Sequence, residues 1–402
     1  MAFAESVLSS RVSSLKPSPT LAIDAKAKAL KAKGVDIVNL SAGEPDFDTP
    51  VHIKKAAEEA IEQGFTKYTA VAGIVELRKA IIDKIHTDYG ITYELEEILV
   101  STGGKQGLFN VLQAIVDPGD EVIIPVPYWV SYPPMVELAG GRSVFLLTHQ
   151  DDGFAIDIAT LKNLISSRTK ALILNSPSNP TGAVYSEEVL YEIGKLAVEK
   201  GFIVITDDIY DQIRFDGKSP ANVASLVPEA KDNVILANGV SKTYAMTGWR
   251  IGYLAGPKPI IKAATKIQSQ STSNANSIAQ MAALKALTGP QDCVAEMAKA
   301  FLERCNYILE RLSKIDGIKV LAPQGAFYIF PDVSSYYGKE VSGKKINGSL
   351  EFADYLLEDA KIAAVPGIAF GDDKFIRFSY ATDIDTLKKG MDRLEDALSQ
   401  IK

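Results

Sequence analysis

"EILVSTGGKQGLFNVLQAIVDPGDEVIIPVP", residues 97–127, decides the fold. Residues 97–101 form a short apolar run of the kind that makes a buried strand. Gly103 and Gly104 interrupt it, and the following stretch to residue 116 reads as a helix. Residues 120–127 return to an apolar strand pattern. Further strand patterns follow at 171–177, 202–208 and 234–242. Between two of them lies "SEEVLYEIGKLAVEK" (186–200), with Ser186 as a helix cap and glutamate close behind it. Short strands alternating with amphipathic helices predict an α/β fold, with a mostly parallel central sheet flanked by helices.

The texture changes after "LTGPQD" (287–292). Val294, Met297, Ala298, Phe301, Leu302, Cys305, Ile308, Leu309 and Leu312 recur at three-and-four spacing, the stripe of one long amphipathic helix. Residues 317–333 and 375–381 then read as strands, and a terminal helix follows. Gly289–Pro290 marks a boundary. A large domain is expected over 49–290. A smaller α+β domain is expected over 291–402, with the less regular segment 1–48 alongside it.

Composition narrows the chemistry. The 402 residues carry a net charge of −7, which argues against nucleic acid as a partner. Cys293 and Cys305 cannot build a disulfide framework, and a reduced, cytoplasmic setting is expected. His52, His86 and His149 share no ligand spacing, so no metal site is expected. No apolar run is long enough to span a membrane, and the first twenty residues lack an uninterrupted apolar core like that of a signal peptide. No GxGxxG follows the first strand, which disfavours a nicotinamide enzyme. The chemistry is left to Lys, Arg, Asp, Asn and Tyr, or to a borrowed cofactor.

Several polar residues stand where strands end, the ligand-binding edge of an open α/β sheet. Asn179 to Gly182 is either a plain turn or a ligand loop. Asp207 either caps the next element or faces a ligand, and Tyr210 follows it. Gly103 and Gly104 open a helix, where free N–H groups favour an anion. Lys242 and Arg250 lie among small and apolar neighbours in "NGVSKTYAMTGWRIGYLAGPK" (238–258). Each alone is most simply a surface cation. Together they supply an amine for an aldehyde, an arginine fork for a phosphate and a carboxylate for a pyridine nitrogen. That set is what a pyridoxal phosphate pocket needs.

"SKTYAMTGWRIGY" closely resembles the Schiff-base lysine motif of class I aminotransferases, the fold type I pyridoxal phosphate enzymes. "AGEPDFDTP", "NSPSNPTG", "ITDDIY" and "IRFSYA" match the same family in the same order. "TKYTAVAG", "STGGKQ", "PYWVSYP" and "SSYYGKE" resemble the bacterial and plastid-type aspartate and aspartate/prephenate aminotransferases. The resemblance implies pyridoxal 5′-phosphate bound to Lys242, the catalytic lysine. It implies Asp207 at the pyridine nitrogen, and Asn179 and Tyr210 at the ring hydroxyl. Gly103, Gly104, Lys105, Ser241 and Arg250 would surround the phosphate, and Trp129 would stack on the ring. Tyr68 would reach the phosphate of a second subunit, so a homodimer is implied. Arg377 would clamp the substrate α-carboxylate, with Gly43, Trp129 and Asn179 beside it.

For the distal carboxylate, better-known aspartate aminotransferases use an arginine of the second subunit. Residues 267–277, "IQSQSTSNANS", contain none. The branch resembled here uses a lysine and a threonine instead, at positions held by Lys105 and Thr20. The implied substrates are aspartate, glutamate and their 2-oxo acids, with prephenate as a further acceptor. An aromatic or alanine aminotransferase, or a pyridoxal phosphate lyase of the same fold, is the alternative. A regulator of this fold would need an added DNA-binding module, for which 402 residues are expected to leave no room.

Overall fold

The computed structural model describes residues 7–15, 19–341 and 343–401; the side chains of residues 14, 19–21 and 24 lie outside that description. In chain order the first strands are β1 (Val38–Asn39), β2 (Ile98–Ser101), β3 (Glu121–Val126), β4 (Arg142–Leu147), β5 (Thr169–Asn175), β6 (Ile203–Asp207), β7 (Val234–Gly239) and β8 (Gly252–Ala255). All but β1 form one sheet in the order β2-β8-β7-β6-β5-β3-β4. Every pair from β7 to β4 is parallel, while β8 runs antiparallel to both neighbours. The sheet is therefore mostly parallel. Every residue of β3 and β7 is buried, as strands covered on both faces must be. The edge strand β4 is more open, with Phe145 and Leu147 exposed.

Helices cover both faces. Ile81, Ile193, Val204 and Leu236 belong to the buried cluster on one side, and Leu108, Val111, Ile124 and Ile173 to that on the other. The helix Glu187–Lys200 starts as its sequence implies, with Ser186 Oγ accepting the Val189 N–H. A further cluster joins Leu40 to Phe301, Phe327 and Leu394. The long helix Asp292–Leu312 supplies the expected stripe in narrower form: Met297, Phe301, Cys305, Ile308 and Leu312 are buried, while Val294, Ala298, Leu302 and Leu309 flank them half-buried. β1 pairs in parallel with Ile362–Ala363, so the early segment is tied to the last hundred residues.

Two expectations are refined. The strand expected over 234–242 ends at Gly239, because Val240 and Ser241 carbonyls accept the N–H groups of Tyr244 and Met246 and turn the chain. Of 317–333, only Tyr328–Ile329 forms a strand, paired with Ile376–Ser379. Pro323 and Pro331 have no N–H to give a ladder.

The topology brings three strand ends together. Asn175 on β5 is in register with Asp207 on β6, and Asp207 with Ala237 on β7. The helix Gly104–Ile115 starts a few residues after β2 and adds its N-terminus to the same edge.

Candidate active site

A cavity of about 370 Å³ opens at these strand ends. Gly43, Gly104, Lys105, Trp129, Asn179 and Asp207 line it, as do Tyr210, Ser241, Lys242, Arg250 and Arg377. Residues predicted from segments hundreds of positions apart thus share one cavity.

Lys242 sits in the turn after β7, half-buried, with Nζ donating to the Gly43 carbonyl at 2.5 Å. Burial pushes its ammonium down to about 8, opposed by Glu44 and reinforced by Arg250 and Arg377. Asp207 ends β6 and is buried. The Tyr132 hydroxyl donates to its Oδ2 at 2.6 Å, and Asn175 Nδ2 donates to its carbonyl at 2.8 Å. Burial raises its carboxyl to about 6, against the Tyr132 hydrogen bond. It is a buried acid without a bonded cation, suited to a cationic N–H donor.

Gly103 and Arg250 form the anionic end. Gly103 has φ +85°, and a methyl there would overlap the Arg250 guanidinium. Only glycine fits both demands. Gly103 thus stands behind Arg250 although it does not itself line the cavity. Arg250 itself has φ +58° at the end of the turn Thr247–Trp249, and donates to the Thr247 carbonyl at 2.9 Å. The left-handed backbone aims the fork beside the helix N-terminus. Lys105, the second residue of that helix, lies 4.8 Å from the Trp129 ring centre. Burial and Arg250 together lower its ammonium below the usual lysine range.

At the opposite wall Arg377 is 3% exposed. It donates to Asn179 Oδ1 at 2.9 Å and to the Ser41 carbonyl at 2.8 Å, while its Nε is buried without a partner. The rings of Tyr328 and Phe370 lie 4.4 and 5.1 Å from the guanidinium. Among the described residues no carboxylate pairs with it. A buried cation held only by neutral acceptors is complete when an anion arrives. Asn179 is fixed by its N–H to Asn175 Oδ1 at 2.8 Å, and Tyr210 by its hydroxyl contact with Tyr328 at 2.9 Å.

Two predicted residues stand apart. Tyr68 is 92% exposed and outside the cavity. Thr20 lies on the helix Pro19–Ala32, but its side chain falls outside the described residues. Conversely Tyr132, Asn175, Thr247 and Tyr328 line the cavity and were not foreseen. Asn175 carried a usable signal, being the first polar residue after the apolar run 171–174. Tyr328 carried none, since "GAFYIF" reads only as core.

Comparisons with known proteins show the family and the fold. The family model described as aminotransferase class I and II matches residues 35–394. An aspartate/prephenate aminotransferase from Nitrosomonas europaea is 49% identical, over 98% of this chain and 100% of its own. The crystal structure of an aspartate aminotransferase from Rhizobium meliloti superposes with a TM-score of 0.95 at 45% identity, covering 98% of this chain and 99% of that one. A Thermus thermophilus aspartate aminotransferase solved with maleate gives 0.92 at 44% identity, covering 97% and 99%.

Proposed function

The chain belongs to the class I and II aminotransferase family, and from that premise we propose that it transfers the amino group of aspartate or glutamate to a 2-oxo acid, with pyridoxal 5′-phosphate held at Lys242. The pocket fits that cofactor on its own terms: an amine lowered to about 8, a buried carboxyl without a cation and a glycine-backed arginine at a helix start face one cavity. When bound, the cofactor supplies an aldehyde for amine exchange and a protonated ring that takes up the electron pair released at the substrate Cα.

The chain's own residues do the rest. Asp207, fixed by Tyr132, keeps the ring nitrogen protonated. Asn179 and Tyr210 hold the ring hydroxyl. Gly104, Lys105, Ser241 and Arg250 would surround the phosphate, with Gly103 making room behind Arg250, and Trp129 would cover the ring. Arg377 grips the substrate α-carboxylate, with Gly43 and Asn179 beside it. Lys242, free once the substrate amine is bound, would take the proton from Cα and pass it to the cofactor carbon that carried the aldehyde. A lysine near 8 can both accept and release it at neutral pH.

The observation that carries the substrate assignment is Arg377, a buried cation without a carboxylate, sharing a cavity with Lys242. The second carboxylate of the substrate is assigned to Lys105 and Thr20. Lys105 lines the cavity beside Trp129, and a Thermus relative was solved with maleate, a four-carbon dicarboxylate. Prephenate, itself a dicarboxylate, is proposed as a further acceptor, as the name of the Nitrosomonas relative also suggests.

The proposal includes the division into 49–290 and 1–48 with 291–402, supported by a buried cluster drawn from 1–48 and 291–402 apart from Tyr210 and Ile213. It includes a homodimer in which the exposed Tyr68 reaches the cofactor phosphate of a second copy. A reduced, cytoplasmic setting is supported by the free Cys293 and Cys305. The test is a panel of donors with 2-oxoglutarate, oxaloacetate and prephenate as acceptors, run on the wild type and on Lys105→Ala. Aspartate and glutamate should be the best donors, and Lys105→Ala should raise their KM at least about tenfold. Alanine or aromatic donors outrunning aspartate, or release of product without amino transfer, would replace this reading with the alternatives.

A further inference from the structure

Beneath the cavity lie two more buried carboxyl groups, Asp208 and Asp211, which are 5% and 3% exposed. They share the turn after β6 with Asp207 and Tyr210, yet neither lines the cavity. Thr206 Oγ1 and Asn222 Nδ2 donate to Asp208 Oδ2 at 3.1 and 2.8 Å. The Tyr89 hydroxyl and Asn238 Nδ2 both donate to Asp211 Oδ2 at 2.8 Å. Asp211 Oδ1 is buried without a hydrogen-bond partner among the described residues. A buried carboxyl with an idle oxygen is a cost to stability, so its purpose is to be sought in what it positions.

Asp211 joins two site-bearing segments. The β6–β7 ladder closes at Asp207 and Ala237, and the Asp208 N–H to the Ala237 carbonyl at 2.9 Å extends it by one bond. Beyond that, a side-chain hydrogen bond from Asn238 to Asp211 ties the two segments. On one side of it are Asp207 and Tyr210. On the other, Asn238 leads within four residues to Ser241 and Lys242. Asn238 is itself braced: its Oδ1 accepts the Gly239 N–H at 2.7 Å, and its carbonyl faces Gly104 at the helix start. A shift of Asn238 would therefore move the lysine turn relative to both the acid and the anion end.

We infer that Asp211 is a positioning residue, which through Asn238 fixes the separation between the Asp207–Tyr210 turn and the Lys242 turn without touching cofactor or substrate. This rests on the pyridoxal phosphate reading above. Tyr89 belongs to the outer side, on the helix Val75–Tyr89, and serves as the control.

The test measures the cofactor dissociation constant, the visible band of the Lys242-bound cofactor and Tm. Asp211→Ala and Asn238→Ala should each weaken cofactor binding about tenfold, the size expected for a hydrogen bond to a buried charged group. Both should move the visible band in the same direction, and the double variant should be no worse than either single one. Asp211→Asn, which keeps an acceptor oxygen, should recover most of the affinity. Tyr89→Phe should lower Tm and leave the band and affinity at wild-type values. If Asp211→Ala lowers Tm with affinity and band unchanged, the inference is overturned. If Asp211→Ala does not fold, Asn238→Ala decides on the same criteria. A wild-type chain that takes up no cofactor overturns both this and the parent reading, whereas normal wild-type uptake with unaltered variants overturns the inference alone.

Discussion

Lys242 and Asp207 are shifted in opposite senses by one cause. Burial disfavours the charged form of each, so the amine falls to about 8 and the carboxyl rises to about 6. The amine attacks an aldehyde only as the free base. Its free fraction grows about tenfold per pH unit below 8 and levels off above. Cofactor uptake by the cofactor-free protein, followed by the growth of visible absorbance, should therefore accelerate from pH 6 to 8 and then flatten. An ordinary lysine would keep accelerating past pH 10. A rate still climbing steeply at pH 9.5 would show that Lys242 is not desolvated as the cavity implies.

At the scale of elements, the decisive piece is the join between β2 and the helix Gly104–Ile115. Gly103→Ala would carry a methyl into the Arg250 guanidinium and place alanine at φ +85°. The strain should cost about 1–2 kcal/mol, and the displaced fork should weaken phosphate and cofactor binding about tenfold. Gly104→Ala is a sharp control, because its φ is ordinary and a methyl there would stand 3.7 Å from the Asn238 carbonyl. Urea midpoints and cofactor titrations should show Gly103→Ala damaged and Gly104→Ala much less so; equal damage would remove the close approach as the reason for the glycine. This join was legible in the sequence, because a glycine pair between strand and helix patterns is local. So were the Ser186 cap, the stripe on Asp292–Leu312 and the acids at strand ends. The early end of β7 was not, since the turn at Val240–Met246 depends on backbone bonds that composition does not encode. Tyr132 and Tyr328 were illegible for another reason: each becomes a site residue through a partner 75 or 118 positions away. Asp211 could have been read only as one acid among many.

Across the whole molecule, the cavity is walled by parts that belong to separate buried clusters. Tyr210 and Tyr328 belong to the cluster around Phe301, while Trp129 and Tyr132 pack with the cluster under the sheet. Arg377 ties two further segments to this wall, bonded to Asn179 in the loop after β5 and to Ser41 in the early segment. A dicarboxylate gripped by Arg377 at one end and by the Lys105 side at the other would tie these parts together only in the folded state. At a hundred times its dissociation constant such a ligand adds about 2.7 kcal/mol. For a chain of this length, that corresponds to a rise in Tm of roughly 3 °C. Maleate added to the cofactor-loaded enzyme should give this rise. Acetate at the same concentration should give almost none, having a single carboxylate. Arg377→Ala should lose the maleate effect, and Lys105→Ala should reduce maleate toward the acetate response. A maleate shift that survives Arg377→Ala would mean that the dicarboxylate binds elsewhere, and the arginine would then be a buried structural cation held by Asn179, Ser41 and two aromatic rings.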